Sequence, residues 1–445
     1  MTNIVLLVVD TWRKKDFERD NSIAPFLSSK KEEEIYLENY YANSPWTAPA
    51  HASLFTGKLP SEHGTTTENT YFSEDNKLTQ HLSSQGFQTI GMSENMLITR
   101  ETGFAQGFDV FKQSVKDLGG ETWKEVWEKD DEFNNRKDKY LYFFRKAVPR
   151  ADLESIKSFT KHAADKLIGR EADYNAGKAV GTLNLAQKYL NSDEDSFVFA
   201  NIMSVHAPYT FNEEERKEFL SDYNEQDILN ASESKTTEDF LPEGLTDEEL
   251  EIREKSYKAS IKYTDKIIKQ FYEKAPENTV FIVLGDHGEL TGEYKLQDTR
   301  LIGHHLGTYK ELIEVPCFIF SKGKELDLEI DPENLYSHTE IIDIVKQITG
   351  KQEDNPQEML RSEYFGRKGF TEQFNREIPE GCEQLYNRKS FSIINSEIKY
   401  DLTTDGEYAW KTRALTENEE LDIEHATELK NKAEVLYGGE FDDRY

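Results

Sequence analysis

Cysteine is almost absent from this chain. Only Cys317 and Cys382 occur in 445 residues, too few for a disulfide framework or a thiolate zinc site, so each reads as an isolated thiol. Long apolar runs are missing as well. The longest, residues 4–9, falls far short of the ~20 residues a membrane helix needs. That run lacks a basic leader and a small-residue cleavage site, and Asp10 ends it, so it is not expected to be a signal peptide. Positive charge is scarce: 54 Lys+Arg stand against 85 Asp+Glu, a formal net charge of -31. Such a chain repels nucleic acid and anionic membrane surfaces, which excludes non-specific binding to either. Internal repeats and low-complexity tracts are lacking too. Aromatic residues at 12% and apolar residues at 36% argue against a wholly disordered chain, despite a mean hydropathy of -0.75. The composition leads us to expect an acidic, soluble, cytoplasmic globular protein.

Four apolar segments read as buried strands: residues 4–9, 196–203 (SFVFANIM), 279–284 (TVFIVL) and 315–320 (VPCFIF). Helical patterns lie between and after them at 78–85, 175–190, 252–272 and 337–348. Strands alternating with helices predict an α/β fold with a mostly parallel central sheet. We assign this unit to residues 1–350. Two stretches interrupt it as insertions, about 112–169, charged and aromatic-rich, and 212–254, acidic and read as an exposed flap. Residues 351–445 open on a Pro/Gln/Glu-rich linker and carry short strand-like pieces at 390–394 and 398–402, which predicts a smaller C-terminal α+β domain.

The residues just past the buried strands point to function. In open α/β sheets the ligand site lies beyond the carboxyl ends of the strands. Asp10 comes after the first strand, His206 after the second, and Asp286 with His287 after the third. Taken singly, Asp10 reads equally well as a helix cap, and Asp286-His287-Gly288 as a turn. Taken together, they bring oxygen ligands and imidazole to one sheet edge, a donor set suited to a divalent cation.

The segment from Asn43 to Pro60 (NSPWTAPAHASLFTGKLP), completed by Pro60-Ser61-Glu62-His63-Gly64, resembles the signature of the sulfatase family, within the alkaline-phosphatase superfamily. Further matching pieces occur in family order. They include Gly86-Phe87-Gln88-Thr89, His206-Ala207-Pro208-Tyr209, Tyr257 to Asp265, Gly285-Asp286-His287-Gly288-Glu289, Tyr309 to Pro316, and Ser337-His338-Thr339-Glu340. The resemblance spans nearly residues 3–350; the tail matches only loosely. Two departures matter. The position that sulfatases fill with a formylglycine-forming Cys or Ser is Thr47, and the basic residue four further on is His51 rather than Arg. The first strand also ends in Asp10-Thr11, where sulfatases present two acids.

The resemblance implies that Asp10, Thr47, Asp286 and His287 hold one divalent ion, Mn, Ca, Mg or Zn, with Thr47 as nucleophile at the start of a helix. It places His206 as a substrate ligand or leaving-group acid, and His305, with His304 as the weaker candidate, where relatives keep an anion-binding basic residue. His51 would stand in for the missing Arg, Asn95 would contact substrate, and His63 would be a structural loop residue. A hydroxyl nucleophile suits phosphoryl transfer: attack gives phosphothreonine, which water cleaves at phosphorus. Sulfated threonine lacks the hydrate hydroxyl through which formylglycine eliminates sulfate. The reading is therefore a metal-dependent hydrolase of a phosphate mono- or diester, its substrate a small molecule or a glycan-linked ester. The alternatives are a sulfuric-ester hydrolase working without formylglycine and a non-catalytic binding protein on the same scaffold.

Overall fold

An unbroken apolar run can form a strand only where both faces are covered, and Asn3–Val9 (β1) lies, fully buried, at the centre of a seven-stranded sheet. The computed structural model describes residues 2–113, 171–190, 194–232, 245–296, 299–350, 357–367, 387–404, 406–411, 420–421 and 426–437. The other strands of this sheet are Ile35–Tyr36 (β2), Gln88–Ser93 (β3), Val110–Gln113 (β4), Ser196–Ile202 (β5), Thr279–Gly285 (β6) and Cys317–Lys322 (β7). Their order is β2-β7-β6-β1-β5-β3-β4. β1 pairs in parallel with both β5 and β6, and β3 in parallel with β5 and β4. Only the β7–β6 and β7–β2 pairs are antiparallel. The mostly parallel α/β sheet is as the sequence predicts. The apolar pattern does not mark β3, because QTIGMS is short and half polar.

The two faces of the sheet carry separate cores. Ile4, Leu6 and Val8 pack with Val280, Ile282 and Leu284 against the helices Thr47–Thr56 (α1) and Ile341–Ile348. Val5, Leu7 and Val9 face the opposite layer, built on Glu171–Leu190 (α2) and Asp247–Lys274 (α3). Side chains alternate along a strand, and Val9 pairs with Gly285. Asp10 and Asp286 are therefore the next residues in register, one step past the sheet.

The 212–254 segment differs from the exposed flap expected of it. Glu213–Phe219 and Glu225–Ser232 are helices, and Leu220, Ile228 and Ala231 pack on Ile252 of α3. Glu215 is buried and ion-paired to Lys266 at 2.5 Å. Acidic residues cover the outer surface and mask this inner apolar stripe in the sequence. Beyond β4 the 112–169 insertion lies outside the described residues, as does Cys382; Cys317 is buried within β7.

The C-terminal strands Leu360–Tyr364 (β8), Ser390–Ile394 (β9), Ile398–Thr403 (β10), Gly406–Lys411 (β11) and Glu420–Leu421 (β12) form a five-stranded sheet in sequence order, antiparallel throughout. Phe391, Tyr400 and Leu402 of this sheet pack on Leu429, Ala433 and Tyr437 of the helix Thr427–Tyr437. Among the described residues no helix is long and apolar enough to cross a membrane.

Candidate metal and nucleophile site

Asp10, Asp286 and His287 are fully buried, and one ligand atom from each lies within 4.8 Å of the others. The sharp exit of the chain from β1 makes this possible. Thr11 takes a left-handed conformation (φ 59), unusual and costly for a β-branched residue. Its neighbours hold it there: its N–H donates to Asp286 Oδ1 at 3.1 Å, its hydroxyl to the Val205 carbonyl at 3.0 Å, and Tyr257 OH donates to its carbonyl at 2.7 Å. Thr11 thus braces Asp286 with its backbone, while its hydroxyl is spent on main-chain carbonyls. After His287 the chain passes so close to the next loop that a Cβ on Gly288 would meet the Glu311 carbonyl oxygen at 1.9 Å. Glycine is required there.

Thr47 is the first residue of α1. Its hydroxyl lies 3.2 Å from His287 Nε2. His287 Nδ1 is 2.9 Å from the Gly288 carbonyl, so Nδ1 carries the proton and Nε2 presents a lone pair. Asn95 approaches from the loop after β3, its amide nitrogen donating to Asp10 Oδ2 at 2.7 Å and lying 3.4 Å from Thr47 Oγ1. The hydrogen bonds run in one direction, from Asn95 to Thr47 to His287 to Gly288, and fix how the Thr47 hydroxyl points.

Two oxygens remain. Asp10 Oδ1 and Asp286 Oδ2 are buried without a hydrogen-bond partner among the described residues. Burial pushes the Asp286 carboxyl well above its usual range, and the charge of Asp10 pushes it further in the same direction. Two buried carboxylates with orphaned oxygens, a bare imidazole nitrogen and a hydroxyl fit a divalent cation, which would satisfy all four at once.

The remaining histidines fall in two places. His304 stands beside His287, ring centres 4.6 Å apart, and also touches His206 (5.4 Å) and His305 (4.8 Å). His305 lies on Trp46, just before Thr47, in a left-handed conformation (φ 70). His206 holds the Ala207 carbonyl through Nδ1 at 2.5 Å. Burial lowers the pKa of His287, and that of His304 and His305 well below the usual value, which favours the neutral imidazole at each. His51 is on α1 itself, turned under the helix. Its Nδ1 is 2.9 Å from the Thr47 carbonyl and 3.7 Å from Asp286 Oδ2, while its ring packs on Phe199 and Phe55. Burial lowers its pKa to about 4. A neutral imidazole with Nδ1–H on a carbonyl has only a lone pair at Nε2, so His51 has no donor to offer an anion in place of arginine. His63 is joined to Ser53 (3.2 Å) and the Thr65 N–H (3.0 Å), within the loop it helps to shape.

Sequence reasoning missed the residues that support the cluster. His338 Nε2 donates to the Asp286 carbonyl at 2.9 Å and stacks on Tyr40. Glu289 accepts from Tyr209 OH at 2.6 Å and from Arg253 at 3.0 Å, tying the loop after β6 to α3. His338 and Glu289 both fall inside the family-like segments, so the pattern could have marked them. Arg253 gives no local signal.

The family described as Sulfatase matches residues 2–350. No curated protein matches the chain. Among solved structures, the phosphonate monoester hydrolase of Silicibacter pomeroyi is similar at 12% identity and TM-score 0.60, over 99% of this chain and 95% of that one. A 2-O GAG sulfatase is similar at 12% identity and TM-score 0.57, over 100% and 93%. The lipoteichoic acid synthase LtaP from Listeria monocytogenes is similar at 13% identity and TM-score 0.52, over 99% and 92%. At these identities the likeness concerns the fold.

Proposed function

The chain belongs to the sulfatase family, and on that premise we propose that it is a metal-dependent hydrolase that cleaves a phosphate mono- or diester through Thr47. The observation that carries this reading is the Thr47 hydroxyl at the start of α1, 3.2 Å from the bare nitrogen of His287 and bordered by two buried carboxylates. Solved structures of this fold include a hydrolase of phosphonate monoesters and a glycosaminoglycan sulfatase, so the fold alone does not choose the ester. The nucleophile does. Threonine has no route to formylglycine, and a phosphothreonine can be hydrolysed at phosphorus where a sulfated threonine turns over poorly.

Asp10, Asp286, His287 and Thr47 would hold a divalent ion, Mn²⁺, Ca²⁺, Mg²⁺ or Zn²⁺. That ion supplies Lewis-acid polarisation of the phosphoryl oxygens and a lowered pKa for the Thr47 hydroxyl. Asn95 and His287 orient Thr47 Oγ1 for attack on phosphorus. With the Thr47 proton lost to solvent, the Oγ1–P bond forms as the P–O bond to the alcohol breaks, and His206, acting as imidazolium, gives the departing oxygen its proton. Water then attacks at phosphorus, releasing phosphate from a monoester or the remaining monoester from a diester, and its proton restores the Thr47 hydroxyl. His304 and His305 border the phosphoryl group. His51 acts through Thr47, by holding the first turn of α1.

The test is a substrate and metal matrix: an aryl phosphomonoester, an aryl phosphodiester and an aryl sulfate, each with the four ions. Metal-stimulated phosphoester cleavage exceeding sulfate cleavage is expected. Faster sulfate turnover would favour the sulfatase reading on the same residues.

A further inference from the structure

Thr11 is fully buried and left-handed (φ 59), a conformation that glycine adopts at far less cost than a β-branched residue. Such an outlier persists only where its surroundings hold it. What threonine adds over glycine is its side chain. The hydroxyl has one proton and two carbonyls within reach, that of Asp10 at 2.8 Å and that of Val205 at 3.0 Å. The Asp10 carbonyl belongs to the adjoining peptide, whereas Val205 lies 194 positions away, on the loop after β5.

That loop carries His206. It is closed by its own hydrogen bonds, from the His206 N–H to the Met203 carbonyl at 3.1 Å and from the Thr210 N–H to the Ser204 carbonyl at 3.0 Å. Ser204 and Tyr209 anchor it on either side of His206, through Thr264 of α3 at 2.7 Å and Glu289 at 2.6 Å. Between those anchors the Val205 carbonyl meets Thr11, whose N–H donates to Asp286 Oδ1 at 3.1 Å and whose carbonyl accepts from Tyr257 OH at 2.7 Å. The three polar groups of Thr11 are thus engaged on three elements: the end of β6, the His206 loop and α3. One residue sets the spacing between the Asp286 carboxylate and the backbone next to His206.

We propose that Thr11 is a positioning residue for leaving-group protonation: its hydroxyl holds the His206 loop at a fixed spacing from Asp286, so that the imidazole stands where the alcohol oxygen departs. This rests on the reading of His206 as the acid. Thr11 itself touches neither the substrate nor the proton in transit. A proton delivered during bond breaking matters most when the leaving alcohol is a poor one, since a stable phenolate departs without it. Loss of the Thr11 hydroxyl therefore penalises poor leaving groups and spares good ones. The metal ligands keep their places, because Asp286 is bonded to the backbone of Thr11 and not to its side chain.

The test compares kcat/KM, which covers departure of the alcohol, for phenyl and dinitrophenyl phosphoesters with the Mn²⁺-loaded full chain. Thr11→Val keeps the shape of the side chain and removes the hydroxyl. It is expected to lower the phenyl value about ten- to a hundredfold, as misplacement of a catalytic group does, and the dinitrophenyl value less than about threefold. Thr11→Ser restores the phenyl value. Thr11→Gly, suited to φ 59, takes the place of the valine variant if that one does not fold. Equal losses on the two esters mark a merely structural role and overturn the proposal, as does no loss on either. His206→Gln separates it from the reading beneath it. Uneven losses from His206→Gln beside even losses from Thr11→Val defeat the proposal alone, whereas even losses from His206→Gln remove the acid and the proposal with it. If aryl sulfates prove the better substrates, the same pair of alcohols is compared as sulfates. A crystal structure of Thr11→Val gives a readout without turnover. Residues 203–210 displaced, with Asp10, Asp286 and His287 in place, support the proposal; a loop that stays, or a cluster that moves with it, overturns it.

Discussion

The two sheets contribute to the site in different ways. The large sheet delivers functional groups by position along the chain: Asp10 and Asp286 each stand one residue past a fully buried strand, at the same height because β1 and β6 run in register. The small sheet delivers support through side-chain hydrogen bonds. Tyr364, Arg388, Ser390 and Ser392 hold the loop of His304 and His305 from outside, and Ser392 is in turn bonded to Asp401, which pairs with Lys399. Residues at strand ends are fixed by register, whereas supporting groups depend on contacts between residues more than fifty positions apart.

That difference sets a ranking of effects. The largest belongs to the strand ends and the helix start. Thr47→Ala is expected to lower kcat by at least ~10³-fold with folding retained, because the residue faces the ligand cluster; Thr47→Ser keeps the hydroxyl and some turnover. Steady-state kinetics beside a circular-dichroism melt check both. Chelation comes next. Removing the ion should abolish turnover and lower Tm, since Asp10 and Asp286 are then left facing each other in a buried site, and re-addition of the ion should restore both.

A third effect concerns pH and the imidazoles around α1. Burial lowers His51 and His63 to about 4 and His338 to about 3. The unfolded chain takes up these protons near pH 6.5, before the folded chain does. Their contribution to stability is therefore complete above pH 6.5 and is lost as pH falls towards 3–4, at no more than about 1.4 kcal/mol per pH unit for each histidine. Asp265, raised to about 6 by burial, works the other way, its contribution fading as pH rises through that value. Urea titrations between pH 4 and 7 should show a smaller loss of stability on acidification for His63→Gln than for the wild type; equal losses contradict the account. The smallest effect is expected from the small sheet. Tyr364→Phe removes one hydrogen bond to the His305 carbonyl, about 0.5–1.5 kcal/mol of stability, with a several-fold fall in kcat and no change in metal affinity. Loss of metal binding in that variant would show that the two sheets are not separable in the way described.

The same contrast explains what could be read from the sequence. β1, β5, β6 and β7 are apolar runs, and Asp10, His206 and Asp286 stand where such runs stop, so the parallel sheet and the residues at its edge were legible. The family-like segment located Thr47 at a helix start, and the structure has it at the first position of α1. Asn95 was placed only by resemblance, as a substrate contact; the structure gives it hydrogen bonds to Asp10 and Thr47 instead. The fate of His51 was not legible, because whether an imidazole turns outward or under its own helix depends on the space beside Phe199. Nor was the packing of 212–254, where one buried stripe of Leu220, Ile228 and Ile252 is diluted by acids facing solvent.

The central claim is that Thr47 becomes covalently phosphorylated. Rapid acid quench during turnover of an aryl phosphoester, coupled to peptide mass spectrometry, tests it most directly. The account predicts the mass of one phosphoryl group on the peptide containing Thr47, absent from Thr47→Ala. Undiminished hydrolysis by Thr47→Ala, with no phosphopeptide from the wild type, would contradict it and assign the attack to water.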